Sequence, residues 1–253
     1  MGRFEGRVVL ITGGSSGIGL ATARAFLSEG AKVAITGRSL ERLKKAEREL
    51  RRLGEVLALP GDVARAADVK RFVAKTKQAF GPIDVLVNNA GIFISRTLEA
   101  TTEREYDQMV DINLKGVYLC AKAVLPSMRR RKRGAIVNVA SDAGLVGNRS
   151  SAVYCASKGG LVLLTKAMAL DHAKEGIRIN VVCPGEVDTP MLWREAELSG
   201  HPAKYYRELV DPIPLGRAAK PGEIARAILF LAGDESSFIT GTAISVDGGS
   251  TAV

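Results

Sequence analysis

Apolar residues follow two alternating rhythms along this chain. Short, mostly apolar and β-branched runs stand at residues 8–11, 33–36, 55–59, 85–87, 136–139, 179–182 and 243–246. Between them, apolar positions recur at three- and four-residue spacing over 18–28, 40–53, 66–79, 102–128, 152–174 and 221–231, the period of helices with one buried face. Strands apolar on both faces belong to a sheet covered on both sides, and alternation with helices makes that sheet parallel. The pattern predicts a single α/β domain over residues 1–253, a doubly wound parallel β-sheet with helices on both faces. One segment breaks the rhythm: residues 190–214, rich in Pro and carrying Trp193, Tyr205 and Tyr206, read as an irregular lid or substrate-binding loop within that domain.

Composition narrows the partners. The chain is 46% hydrophobic and 25% charged, ordinary for a globular protein. No apolar run is expected to reach the roughly 18 residues of a membrane span, and residues 1–6 run into the first strand without a signal-peptide core, so a cytoplasmic protein with no membrane partner is expected. The net charge of +9 raises a polyanion as partner. Its densest cluster, Arg129, Arg130, Arg131, Lys132 and Arg133, follows the end of a predicted helix, where the dipole favours cations. No aromatic-interleaved basic face accompanies it, so no nucleic acid is expected. Cys120, Cys155 and Cys183 are odd in number and embedded in apolar sequence, and His172 and His201 are the two histidines. That leaves little material for a disulfide frame, a metal site or a His-based triad.

The chemistry-bearing residues lie where strands give way to helices. Gly13-Gly14-Ser15-Ser16-Gly17-Ile18-Gly19 follows the first strand. Glycines there allow a tight turn, and a helix start offers free N–H groups and positive dipole to a pyrophosphate. The first gap between glycines is longer than in the three-glycine dinucleotide fingerprint, so position after strand one carries more weight than spacing. The second strand ends at Thr36-Gly37-Arg38. A carboxylate there would hold both ribose hydroxyls of NAD, whereas Arg38 favours the 2′-phosphate of NADP. NAD stays possible, because Ser16 rather than a second basic residue stands in the glycine turn. Tyr154 and Lys158, four apart at the head of helix 152–174, share one helix face. A fixed ammonium near a phenol of pKa about 10 favours the phenolate and would bring proton exchange toward neutral pH.

Together, residues 12–19, Asn88-Asn89-Ala90-Gly91, Asn113, Ser141, Tyr154 with Lys158, and Pro184-Gly185 followed by Thr189 resemble the short-chain dehydrogenase/reductase family in order and spacing, over essentially the whole chain. The resemblance implies a Rossmann-like fold and a hydride transfer between NAD(P) and a small secondary alcohol or ketone. It implies that Gly13, Ser15, Gly17, Ile18 and Gly19 cradle the pyrophosphate, with Ser16 in the same turn. Asp62 and Val63 would hold the adenine, and Asn89, Ala90 and Gly91 would flank the ribose. Tyr154 would be the general acid/base, Ser141 would hydrogen-bond the reacting oxygen, and Lys158 would bind ribose hydroxyls while lowering the Tyr154 pKa. Asn113 would hold a proton-relaying water through its backbone carbonyl. Pro184, Gly185, Val187 and Thr189 would position the carboxamide of the nicotinamide.

The substrate is less legible. Asp142, Asn148, Glu186, Met191, Leu192 and Trp193 are candidates to face the pocket, and one or two acids there suit a polyol, sugar or hydroxyketone. The alternatives are therefore an NADP-preferring carbonyl reductase or alcohol dehydrogenase, an NAD-dependent sugar or polyol dehydrogenase, and a 3-ketoacyl-carrier-protein reductase. Against the last, Lys132 matches one basic docking position but Glu175 stands at the second. A catalytically silent nucleotide sensor is the reading from outside the enzymes. Residues 159–170 are apolar nearly all round, which with the family resemblance implies a homotetramer or homodimer.

Overall fold

Seven strands form one fully parallel sheet in the computed structural model, which describes residues 2–252. They are β1 (Val8–Thr12), β2 (Lys32–Gly37), β3 (Val56–Pro60), β4 (Val85–Asn88), β5 (Gly134–Val139), β6 (Ile177–Pro184) and β7 (Ala243–Val246), in the spatial order β3-β2-β1-β4-β5-β6-β7. The helices are α1 (Gly17–Ser28), α2 (Leu40–Leu50), α3 (Ala66–Phe80), α4 (Glu103–Val110), α5 (Gly116–Arg131), α6 (Ala152–His172), α7 (Pro190–Leu198), α8 (Pro202–Val210) and α9 (Pro221–Ala232).

The apolar runs become two cores because strand side chains alternate in direction. Val9, Ile11, Val33, Ile35, Val85 and Val87 pack with Phe26 of α1, Leu43 of α2 and Ile228 of α9. Their neighbours Val8, Leu10, Ala34, Leu86 and Ile136 pack on the other face with Phe72 of α3 and Val124 of α5. Each fully buried side chain of this kind stabilises the fold by roughly 1.5–3 kcal/mol. Leu161 and Val162 of α6 complete the cover over β6, against Val181 and Cys183.

Parallel strands place all their C-terminal ends along one edge. The chain proceeds from β1 outward through β2 to β3, then returns to β4 on the other side of β1. That reversal opens a crevice between the two halves at the carboxyl ends of β1 and β4, where open α/β sheets bind ligands.

Three local expectations change. Residues 190–214 are mostly helical: they contain α7 and α8, with Pro190 and Pro202 in the first helical turn. Proline there lacks only an N–H that has no helical partner, so it starts these helices rather than breaking them. Leu192, Val210, Ile213 and Ala218 give the pair its own small core. The helical run predicted for 102–128 is interrupted at Asp111–Lys115 by a π-turn, in which the Gly116 N–H bonds five residues back to the Asp111 carbonyl. It then continues through Pro126 to Arg131. Lastly, the stretch Ala152–Glu175 is long and apolar enough to cross a membrane by length and composition, with mean hydropathy 1.2, contrary to the sequence expectation. Its physical setting is that of a core helix, since Leu161, Val162 and Ala169 are packed against the sheet and the Lys158 side chain is buried within it.

Candidate active site

The glycine turn between β1 and α1 is built for a ligand that needs backbone at close range. A Cβ on Gly13 would lie 2.9 Å from Asn89 Nδ2, and one on Gly19 would lie 2.4 Å from the Gly13 oxygen. Gly13 and Gly17 have φ of +67° and +51°, a left-handed conformation that glycine adopts without strain. Ser16 precedes α1 without capping it through its side chain, so the first N–H groups of the helix face the turn with no partner in that side chain. These features fit the pyrophosphate of a dinucleotide. Ser15 Oγ lies 3.4 Å from where a Cβ on Gly37 would stand, which brings the turn beside the end of β2. There Arg38 is exposed and makes no salt bridge or side-chain hydrogen bond among the described residues.

Neighbouring strand ends are tied to that turn. Asn89 Nδ2 donates to the carbonyls of Thr12 at 2.9 Å and Gly13 at 3.2 Å. Thr12 Oγ1 accepts from the backbone amides of Asn89 and Ala90, each at 3.0 Å. Thr12 thus fixes the crevice wall, a role the sequence reading did not assign it. Asp62 and Val63 follow β3, with Asp62 Oδ1 accepting from the Ala64 amide at 3.0 Å and Val63 packed against Gly116. Across the crevice, Pro184 ends β6, and Thr189 Cγ2 lies 3.2 Å from a Cβ placed on Gly17. Gly185 stands against Asp247, and Val187 bridges to Ala219. The segment after β6 therefore closes over the glycine turn.

Ser141, Tyr154 and Lys158 meet at the middle of the same edge. Ser141 leaves β5 and donates its hydroxyl hydrogen to Asp142 Oδ1 at 2.8 Å. The turn Asp142–Gly144 then presses on α6, where a Cβ on Gly144 would lie 2.9 Å from the Lys158 carbonyl. That contact, which no motif announces, brings the Ser141 hydroxyl to the Tyr154 phenol. Phe93 packs edge-on against the Tyr154 ring, with centroids 4.9 Å apart. Lys158 Nζ donates to the Val139 carbonyl at 3.0 Å and lies 5.7 Å from the Tyr154 ring centroid. Asn113, in the π-turn, clamps Ile92 in both directions at 2.9 Å and donates to Ser157 Oγ at 3.2 Å. A π-turn at such a position is a common mark of function. Behind these groups runs a buried ladder from Asn88 through Asn138 to Thr165. Polar residues inside apolar strands gave a signal for it, one that the strand pattern obscured.

The electrostatics depart from expectation. Burial pushes the Tyr154 phenol above its ordinary range; the Ser141 hydroxyl opposes the rise, and the Asp142 and Glu186 carboxylates add to it. The Lys158 ammonium is itself desolvated: burial brings it down to about 8. Glu186 is raised to about 7 by burial, with Asp142 adding. Burial also raises Asp142 against the hydrogen bonds it accepts, with Asp247 reinforcing the shift.

The remaining substrate candidates separate. Glu186 and Asp247 line a cleft of about 460 Å³ whose wall also includes Arg217 and Glu223, a step along the edge from Tyr154. Met191 and Trp193 are half-exposed on α7, where the Trp193 indole N–H donates to Asp188 Oδ1 at 2.7 Å and its ring stacks on Tyr206 at 5.3 Å. Leu192 turns into the small core of α7 and α8 rather than toward the pocket. Asn148 is exposed on the loop before α6.

The sheet order, the glycine cradle and the cluster at the strand ends define a dinucleotide-binding α/β oxidoreductase. Comparison with known proteins agrees. A family profile described as enoyl-(acyl carrier protein) reductase matches residues 13–251. The chain is 43% identical to a 3-oxoacyl-acyl-carrier-protein reductase of Thermotoga maritima over 98% of both chains. It is 41% identical to meso-2,3-butanediol dehydrogenase of Serratia marcescens over 99% of this chain and 96% of that one. The solved structure of levodione reductase superposes with a TM-score of 0.96 at 38% identity, covering 99% of each chain. This chain belongs to the short-chain dehydrogenase/reductase family, and it is an NAD(P)-dependent oxidoreductase of that family.

Proposed function

We propose that the protein is an NADP(H)-preferring carbonyl reductase or alcohol dehydrogenase of small secondary alcohols and ketones, with Tyr154 as its general acid/base. The observation that carries this reading is the convergence of Ser141, Tyr154 and Lys158 from two separate segments at the strand edge that also carries the glycine cradle. Gly13, Ser15, Ser16, Gly17, Ile18 and Gly19 would hold the pyrophosphate, Arg38 the 2′-phosphate, Asp62 and Val63 the adenine. Asn89, Ala90 and Gly91 would flank the ribose, and Pro184, Gly185, Val187 and Thr189 the nicotinamide. When bound, the cofactor supplies or accepts the hydride.

The chain's own residues do the rest. Negative charge that builds on a carbonyl oxygen needs a donor able to release its proton in the same step. Tyr154, a phenol protonated at neutral pH and kept so by burial, gives that proton, and Ser141 contributes the second hydrogen bond. In the reverse direction Tyr154 takes the proton back. Lys158, whose ammonium is held in the apolar interior, binds ribose hydroxyls and supplies positive charge beside the phenol. Asn113 holds the water that leads protons outward. Helices α7 and α8 act as the lid over the substrate, as residues 190–214 of one domain.

A 3-oxoacyl-carrier-protein reductase is the second reading, supported by the likeness to the Thermotoga maritima protein. Counting against it, Arg129 in the basic cluster is paired with Glu175 at 2.8 Å, which neutralises part of the surface an acidic carrier would need. Leu163 and Leu170 on α6 and Tyr118 on α5 are exposed, which supports association into a homotetramer or homodimer of a cytoplasmic enzyme. The test of function is a panel of ketones and alcohols with NADPH and NADH, run on the wild type and Tyr154→Phe. The variant is expected to keep cofactor binding and lose about 100-fold or more in kcat. Retention of a tenth of wild-type kcat would overturn the assignment.

A further inference from the structure

Ser141 has one hydroxyl hydrogen, and its direction decides what the residue can hold. Here that hydrogen is given to the neighbouring carboxylate, from Ser141 Oγ to Asp142 Oδ1 at 2.8 Å. The Ala143 amide completes the arrangement, donating to Asp142 Oδ1 at 2.7 Å and to Ser141 Oγ at 3.2 Å. With one lone pair taken by the Ala143 amide, such a serine turns its other lone pair toward the Tyr154 phenol and the reacting oxygen beside it. A lone pair accepts the O–H of an alcohol and repels the oxygen of a ketone.

We infer that Asp142 is a positioning residue that sets the hydrogen-bond polarity of Ser141, and with it the preference of the site for alcohol or ketone. With the carboxylate ionised, Ser141 is an acceptor and alcohol binds better. With a proton on Asp142, that proton is donated to Ser141 Oγ, and the Ser141 hydrogen turns to a ketone oxygen. The inference rests on the proposed roles of Ser141 and Tyr154.

Asp142 is faced by Asp247 beyond β7, Glu186 beyond β6, Cys183 on β6 and Tyr154 on α6. Burial and Asp247 hold its carboxyl above the ordinary aspartate range, so protonation occurs at a higher pH than the roughly 3.9 of a free side chain.

The test measures KM for the ketone and alcohol pair turned over fastest in the panel above, with saturating cofactor, from about pH 4 to about pH 9. In the wild type, ketone KM is expected to fall about threefold to tenfold as pH is lowered through the Asp142 titration, the worth of one hydrogen bond, while alcohol KM rises. Asp142→Ala frees the serine hydrogen, so ketone KM is low at every pH. Asp142→Asn keeps an acceptor that does not titrate, so ketone KM stays high and flat. Glu186→Gln removes one of the two carboxyls that face Asp142, and the Asp142 limb persists, moved to lower pH. No variant changes the reaction equilibrium, so kcat moves to compensate the KM values. A ketone KM that is pH-independent in the wild type overturns the inference even if neither Asp142 variant folds. So does an Asp142→Ala profile that matches wild type. If no pair is turned over, or Tyr154→Phe stays active, the underlying reading fails, and this inference falls with it.

Discussion

Replacing Glu186 with glutamine probes the field inside the site through stability alone. Glu186 follows β6, is half-buried, and makes no side-chain hydrogen bond or salt bridge among the described residues. Burial, with the nearby Asp142 carboxylate adding, raises its pKa from 4.5 to about 7. At 1.36 kcal/mol per unit, that rise makes the ionised form cost the fold about 3 kcal/mol. The sign follows from proton linkage. Below the unfolded value the carboxyl is protonated in both states and the cost vanishes. As pH rises from 4.5 to about 7, the unfolded chain ionises first and stability is lost; above that window the full cost persists. Glutamine keeps the size of the side chain and carries no charge. Thermal unfolding followed by circular dichroism should therefore give similar Tm values for Glu186→Gln and wild type near pH 4, and a Tm higher by about 6–12 °C for the variant near pH 8, since 1 kcal/mol is worth roughly 2–4 °C in a chain of this size. An equal offset at both pH values, or none near pH 8, refutes the reasoning.

Three further outcomes are expected. Burial brings Lys158 down to about 8, so its charge is present below that pH and lost above it; the NADPH dissociation constant, followed by fluorescence, should rise through this window, and a flat profile from about pH 7 to about pH 9.5 would argue against Lys158 as a charged ligand. Gly144→Ala places a Cβ 2.9 Å from the Lys158 carbonyl, which should destabilise the fold by about 1–3 kcal/mol and lower kcat by separating Ser141 from Tyr154; unchanged Tm and kcat would count against that spacing. Arg38→Asp should move the ratio of kcat/KM for NADPH over NADH toward NADH by about tenfold or more, and an unchanged ratio would remove Arg38 from cofactor selection.

The sheet was legible because its strands are apolar on both faces, a pattern that only a doubly covered parallel sheet satisfies. Element boundaries moved by a few residues, as at α2, which ends at Leu50 instead of 53. Residues 190–214 read as irregular in the sequence because proline weighs against helix in a local reading, although Pro190 and Pro202 sit at helix starts. The π-turn around Asn113 has no sequence period of its own.

In the site, residue identities came from motifs, while relationships came from packing. The sequence alone determined that a glycine turn follows β1, that Arg38 follows β2, and that Tyr154 and Lys158 share a helix face, because each depends on local geometry and short spacing. Three-dimensional structure alone decided that Gly144 seats Ser141 against α6, that Asp142 takes the Ser141 hydrogen, and that Glu186 and Asp247 gather around the same groups. It also reversed the expected direction of the Tyr154 pKa. A helical spacing shows that a lysine is near a tyrosine, whereas the protonation of both depends on how much water the surrounding fold removes, and that is a property of the whole packed edge.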